Sequence, residues 1–320
     1  MSRSEAVVSL VMITFFAAIQ YVFLENIPAD VSQFEFLSIT NLIGFILTFI
    51  LFFNELFRLN KRQVVQSLML SVFLFIFNVF LLKGTSGVSA TTSASVLSAY
   101  FSFVIVIQFF MTKKAPNVNH IIGVIIVLIG LGIFMKFQFS DLLNMSGLFL
   151  LLADIIFAAY IVVAGKFATD TNPAILAMGQ LFFNFIISTA FYFGEVSIKH
   201  TAVVLPKDPL FWGSVVFISI FIRGFYGIVQ IYAQRYINAF YTSLIFSTEI
   251  VITVFMSPVL AMVFDTKGEE ITAVKLAGSL VIVAGVLISD EVIFDKIESK
   301  YKAKRLKSGK EKSNGKQESN

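Results

Sequence analysis

Apolar residues fill the chain in long blocks separated by short polar breaks. A helical bilayer crossing takes about 20 such residues, and neither loops nor open strand edges can face lipid, because their amides would stay unpaired. The pattern therefore predicts helices over 5–25, 33–55, 64–83, 88–110, 120–138, 146–167, 174–194, 209–232, 239–264 and 272–290. The connections carry helix breakers: Asn26 with Pro28, Gly84 and Gly87, Pro116, Asn172 with Pro173, Pro206 and Pro209, and the turn from Asp265 to Gly268. None has room for a soluble domain. The first block follows Arg3 and has no clear small-x-small cleavage site, so it reads as a retained first helix rather than a signal peptide.

Composition agrees with a bilayer as the solvent. Hydrophobic residues make up 57% and charged ones 14%, against roughly 45–50% and about 25% in soluble domains, and mean hydropathy is +0.86. A water-soluble globule is excluded. With no cysteine, disulfides, zinc–thiolate sites and thiol nucleophiles are excluded too. The net charge of +4 and pI near 9.1 come mainly from the run of Lys and Arg after Asp290, among Ser, Gly, Asn and Glu. That is the composition of a solvated, disordered tail, not of a nucleic-acid surface.

Basic residues near helix ends mark the cytoplasmic side. Alternate connections hold Arg3, then Arg58, Lys61 and Arg62, then Lys113 and Lys114, then Lys166, then Arg235, then the tail. The other connections mix scattered lysines with Glu25, Asp30, Asp208, Asp265, Glu269 and Glu270. Both termini are expected in the cytoplasm.

Gly123 and Gly130 recur as Gly278 and Gly285 inside similar aliphatic helices, an offset of 155 residues (278 − 123). That offset lays helices four and five on nine and ten, with Lys113 and Lys114 opposite Gly268 and Glu269. Five crossings per half is odd, so the halves enter the membrane in opposite senses, the inverted-repeat plan of secondary transporters. The expected organisation is a five-helix repeat over 1–140, a second over 141–290 and a basic cytoplasmic tail over 291–320. The glycines themselves are expected to serve helix packing.

An ionisable group at mid-bilayer costs about 2.5–3.5 kcal/mol on insertion scales and so requires a partner, a wet cavity or a neutral state. Asp154, Arg223 and Glu249 qualify by depth. Ser219, Arg223, Tyr226 and Gln230 follow at helical spacing and form one face. Glu249 shares a face with Thr242 and Thr253, and Pro258 frees a carbonyl one turn earlier. Helix four repeats Thr91, Ser95, Ser98 and Ser102 beside Tyr100, for which tight helix packing is the competing explanation. Asn78, Gln20, Tyr21, Tyr160, Gln180 and Asn184 are weaker candidates, each able to bond a neighbouring helix instead. An ion pair between helices eight and nine is the structural alternative for Arg223 and Glu249. His120 and His200 lie far apart without nearby ligands, so no metal site is expected. No phosphate loop, nucleophile elbow or zinc-protease helix is present.

From Gln234 to Ser289 the chain carries Gln234-Arg235-Tyr236, then Leu244 to Glu249, then Gly268-Glu269-Glu270-Ile271-Thr272, then the spaced Gly278 and Gly285. This segment resembles the EamA-type branch of the drug/metabolite transporter superfamily. It departs from the family pattern at Ile250, where a proline follows the glutamate, and by several extra residues between Glu249 and Gly268. The first half resembles it over Gly87 to Phe134, with Ala94 opposite Glu249. The resemblance implies ten helices around a central cavity lined by helices one, three, four, six, eight and nine, and transport by alternating access.

The resulting expectation is an all-α carrier of the cell inner membrane, moving a small metabolite such as an amino acid, a nucleoside-like compound or a drug, with export favoured by family analogy. The candidate substrate-binding residues are Arg223, Tyr226, Gln230, Glu249, Ser219, Asn78, Asp154 and Tyr100. No cofactor, metal or nucleic acid is expected; the partners are the solute and the lipid bilayer, with Glu249 available for proton coupling and the protein a monomer or homodimer. A nucleotide-sugar-type carrier should place several Lys or Arg in the cavity, and only Arg223 is deep enough. An intramembrane transferase would require a paired acid–base or metal constellation.

Overall fold

In hydrocarbon every backbone amide must bond inside its own segment. The computed structural model of the chain meets that demand with helices, and no strand occurs among the described residues. Those residues are 1–25, 27–28, 31–113, 115–136, 144–200, 206–264 and 270–289. The expected tail, the turn from Asp265 to Glu269, Lys114, Asn26 and Asp30 lie outside them.

The helices are Arg3–Glu25 (α1), Gln33–Phe52 (α2, prolonged by a 3-10 turn, Phe53–Arg58), Lys61–Thr85 (α3), Ala90–Leu97 (α4), Tyr100–Thr112 (α5), Val118–Phe134 (α6), Met145–Asp170 (α7) and Pro173–Lys199 (α8). Pro209–Phe217 (α9) and Gly227–Ala233 (α10) are joined by a π-helical segment, Ile218–Tyr226. Ala239–Phe246 (α11), Glu249–Phe264 (α12) and Ala273–Ser289 (α13) complete the chain. With α4–α5, α9–α10 and α11–α12 each taken as one, the described residues make ten crossings. Eight are long and apolar enough to span on that ground alone. The 17 residues of α6 and of α13 match the low end of the ~17–25 that a crossing takes. Side-chain oxygens of Ser32, Asn60, Ser89, Asn144, Asn172, Asp208 and Asn238 accept from first-turn amides and so fix seven starts.

Three crossings differ from the expectation of unbroken α-helices, and the fifth ends at Phe134 rather than 138. The fourth is interrupted at Ser98 and Ala99, the ninth at Ser247 and Thr248, upstream of Glu249 and not at Pro258. Hydroxyl bonds to the preceding turn accompany both interruptions. Ser98 donates to the carbonyl of Ala94 at 2.6 Å, Ser247 to that of Leu244 and Thr248 to that of Ile245, both at 2.7 Å. Such bonds compete with the helical ladder. The backbone tightens identically at both places: Ala99 bonds Val96 and Ser102 bonds Ala99, as Thr248 bonds Ile245 and Val251 bonds Thr248. The equal lengths of α4 and α11 therefore pair Tyr100, not Ala94, with Glu249.

The glycine repeat is a packing seam, as expected. A Cβ on Gly278 would lie 2.7 Å from the Phe134 amide nitrogen and 2.8 Å from the Gly130 carbonyl oxygen, and one on Gly285 2.9 Å from the Gly123 carbonyl oxygen. The last helices of the two halves, α6 and α13, thus touch backbone to backbone.

One end of the bundle gathers basic residues. Arg62 pairs with Asp170 at 3.0 Å, Arg235 Nε donates to the Ala168 carbonyl at 2.9 Å and the Arg3 guanidinium lies 5.9 Å from the Tyr241 ring centroid. Asn119 donates to the carbonyl of Ser289 at that same end. The start of α1 and the finish of α13 thus share the basic end.

Because the seam holds backbone on both sides, Gly278→Ala should destabilise the protein by about 1–3 kcal/mol. Gly213→Ala, whose Cβ would meet nothing within 4 Å, serves as the neutral control. Thermal unfolding of the two variants in detergent checks the difference.

Candidate functional site

A cavity of ≈ 50 Å³ lies in the middle of the bundle, walled by both halves of the chain. Residues of α1, α3, the α4–α5 crossing, α7, the α9–α10 crossing and α12 reach it, the set the family resemblance implied, and α8 adds Gln180 and Leu181. A single water occupies ~10–15 Å³ on such a measure, so the hollow has room for a few waters.

Two polar groups dominate its wall. Arg223 sits in the π-helical segment and is 8% exposed. Its Nη1 donates to Asn78 Oδ1 at 3.0 Å, and Asn78 in turn donates to the Leu74 carbonyl at 2.6 Å. Arg223 Nε has no partner among the described residues. Glu249, 5% exposed and first residue of α12, accepts a 2.8 Å bond from the Tyr21 hydroxyl. No ion pair joins Arg223 to Glu249 among the described residues, so the structural alternative raised for them is not what holds them.

The local backbone explains the placement. Gly44 on α2 lets the Arg223 backbone come close, since a Cβ there would lie 2.6 Å from Arg223 Cβ. The π-helical turns widen the helix at that contact, a distortion frequent at functional sites. Opposite, the α11–α12 interruption starts a fresh helix at Glu249, where a carboxylate suits the positive end of the helix dipole.

Aromatic rings form the rest of the wall. Phe157 stacks on Phe77 with centroids 4.5 Å apart and on Tyr160 at 5.7 Å, and meets Tyr100 edge-on at 5.2 Å. Tyr226 packs against Phe246 at 5.3 Å. Tyr160 donates to Gln180 at 3.1 Å, whereas the Tyr100 hydroxyl and Gln230 Nε2 are buried without a partner among the described residues.

Of the eight sequence candidates, Arg223, Tyr226, Gln230, Glu249, Asn78 and Tyr100 come together on this wall. Ser219 and Asp154 do not. Ser219 donates to the Val215 carbonyl at 2.6 Å. Asp154 is fully buried on α7 with both carboxyl oxygens unpartnered among the described residues. Phe77 and Phe157 were not anticipated. Among 38 phenylalanines, only the spacing of Phe157 three residues before Tyr160 distinguishes one of them.

A second, larger hollow of ≈ 470 Å³ opens at the basic end between α5, α7, the turn that follows α10 and the start of α11, with Lys166, Gln234 and Arg235 among its lining.

Comparison with known proteins agrees with this architecture. Twenty-eight chains of solved structures are similar. One of them, described only as "Crystal structure of protein", superposes with a TM-score of 0.66 over 92% of this chain and 98% of its own, at 13% identity. At that identity the likeness is one of fold. Curated proteins give no match. The EamA-like transporter family model matches twice, over residues 5–136 and 144–289. The chain is thus a multi-pass membrane protein built from two repeats, and it belongs to the EamA-like transporter family, whose members move small solutes.

Proposed function

We propose that the protein is an alternating-access carrier of a small zwitterionic or amphipathic metabolite, with amino acids, nucleoside-like compounds and drugs as the candidate classes. The observation that carries this reading is a guanidinium and a carboxyl in one buried cavity, each held by a neutral partner and not by the other. Arg223 is proposed to receive an anionic group through its open Nε, Glu249 to answer a cationic group or carry a proton, and Tyr226 and Tyr100 to contact the solute's apolar body. A hollow with room for a few waters has to widen before a metabolite fits, and parting of two repeats, with 1–140 and 141–290 as their limits, supplies that widening. Asp154 and Ser219, off the wall, would act only through their neighbours.

The charge pattern supports a basic end in the cytoplasm; a cell-membrane location and export are proposed by family analogy. A nucleotide-sugar-type carrier is the second reading. Arg223 is the lone cation among the cavity's described lining, too little for a diphosphate.

Hydrogen bonds to charged groups contribute about 1.5–3 kcal/mol each. Arg223→Ala and Glu249→Gln should therefore each lower transport at subsaturating solute by about 10–100-fold in proteoliposomes. Full activity in both variants rejects the site. Tyr21→Phe, which leaves the Glu249 oxygen without its donor, should lower transport less than Glu249→Gln does in the same assay. Since the chain has no cysteine, single cysteines at Ser2 and Ser308 report topology directly. An impermeant thiol reagent added to intact cells should label neither until the membrane is opened, and labelling of one alone refutes the even number of crossings.

A further inference from the structure

The hollow at the basic end has a chemistry distinct from that of the central cavity. Lys166 and Arg235 both line it, and no carboxylate is among its described lining residues. Both cations are exposed, but Arg235 is anchored: its Nε is tied to the Ala168 carbonyl at 2.9 Å, which restrains the plane of the fork. Beside it Gln234 is 3% exposed, with its Nε2 bound to the Ile161 carbonyl at 3.1 Å and its Oε1 buried without a partner among the described residues. One helical turn further in stands Gln230, which lines the central cavity and has an unpartnered Nε2. Buried amide groups in native proteins are rarely left unsatisfied. Here two of them follow a pinned guanidinium along α10 towards the cavity.

We propose that this hollow is a capture site for a small solute bearing one anionic group, a carboxylate or a phosphate, next to an N–H or O–H donor. The anionic group rests between Lys166 and Arg235, and the donor bonds Gln234 Oε1, which has almost no accessible surface at rest and is uncovered as the solute enters. A cation-lined concavity with low-dielectric walls concentrates anions from solution by about 10–10³-fold. The solute then passes along α10, by way of Gln230, to Arg223. This role in transport rests on the carrier reading above, whereas the anion selectivity of the hollow does not. The Arg235 bond also caps α7, whose last-turn Ala168 carbonyl has no helical donor, so the buried Gln234 acceptor is what sets this hollow apart from a plain ring of helix-end cations.

The chain's lack of cysteine allows a direct test. Gly165 lines the hollow, and a Cβ there would make only ordinary contacts, the nearest at 3.7 Å, so Gly165→Cys introduces a single reporter thiol. The full chain in phosphatidylcholine nanodiscs is treated with anionic and cationic methanethiosulfonates of similar size, and the ratio of their rates is measured. Removing both charges with Lys166→Gln and Arg235→Gln should lower the anionic-to-cationic ratio about tenfold. Lys166→Gln alone should shift it in the same direction, and Arg235→Lys, which keeps the charge, should hold it. Lactate, a carboxylate beside a hydroxyl, should slow modification in the parent and not in the doubly substituted protein. An unchanged ratio overturns the proposal. So does protection that phosphatidylglycerol in the disc provides and lactate does not, since the hollow would then be a headgroup site. If the protein carries no solute at all yet the labelling pattern holds, the carrier reading fails and the anion site stands.

Discussion

A guanidinium deep in a bilayer has to be satisfied by the protein, and much of this fold is arranged around that requirement. Arg223 finds Asn78 on α3, on the far wall of the cavity. Gly44 on α2 removes the Cβ that would hold its backbone away, and the π-helical segment takes up the extra width. Glu249 is met separately, by Tyr21 on α1. Had the two groups paired with each other, separating them to admit a solute would have cost on the order of 3–5 kcal/mol, the usual effect of breaking a buried pair. A hydrogen bond to a neutral side chain is exchanged for a solute's group at far smaller expense. The separation of the two groups suits the proposed function: each has a neutral, replaceable partner at rest, and Arg223 keeps its Nε open.

The repeat extends to a finer scale than helix count. Both interrupted crossings tighten into i→i−3 backbone bonds beside a hydroxyl bonded to the preceding turn, and both restart with the residue that faces the cavity, Tyr100 in one half and Glu249 in the other. One scaffold thus places a phenol and a carboxyl at equivalent positions. Symmetric geometry carries asymmetric chemistry, which is what a cavity requires if it is to orient a solute with unlike ends.

The ten crossings were legible because lipid demands a continuous apolar run for each, and the glycine seam because only close helices explain its spacing. The interruptions were not legible. Ser98 and Ser247 look like ordinary small residues until their hydroxyls are seen bonded to the preceding turn. The α4–α11 register also escaped the glycine offset, since the extra residues between Glu249 and Gly268 shift the last helix relative to the one before it. Within the site, Arg223, Tyr226 and Gln230 were found by α-helical spacing even though part of that crossing is π-helical. Ser219, near the start of the π-helical segment, falls off the shared face for the same reason. Depth alone singled out Asp154, but depth does not say which way a side chain points. Phe77 carried no signal and Phe157 only its spacing from Tyr160, because phenylalanine is commonplace on the lipid-facing surface of this chain.

The surface between the halves bears on how the cavity could widen. The first crossing meets the eighth largely through rings: Phe16 stacks on Phe221 at 4.8 Å, Phe23 on Phe217 at 4.4 Å, and Phe217 packs on Phe221 at 5.2 Å. Each aromatic pair contributes about 0.5–1.5 kcal/mol beyond its buried area, with broad tolerance of geometry. Sliding such rings strands no donor or acceptor, which in lipid would be the expensive event. Polar bonds also join the halves away from the cavity, among them Arg62 to Asp170, Asn119 to the Ser289 carbonyl and Thr171 to Gln66, whereas Tyr21 to Glu249 and Asn78 to Arg223 lie at the cavity, where water or solute can replace them. On the proposed alternating-access reading, the two bonds at the cavity are the ones a solute's own groups can take over as the repeats part.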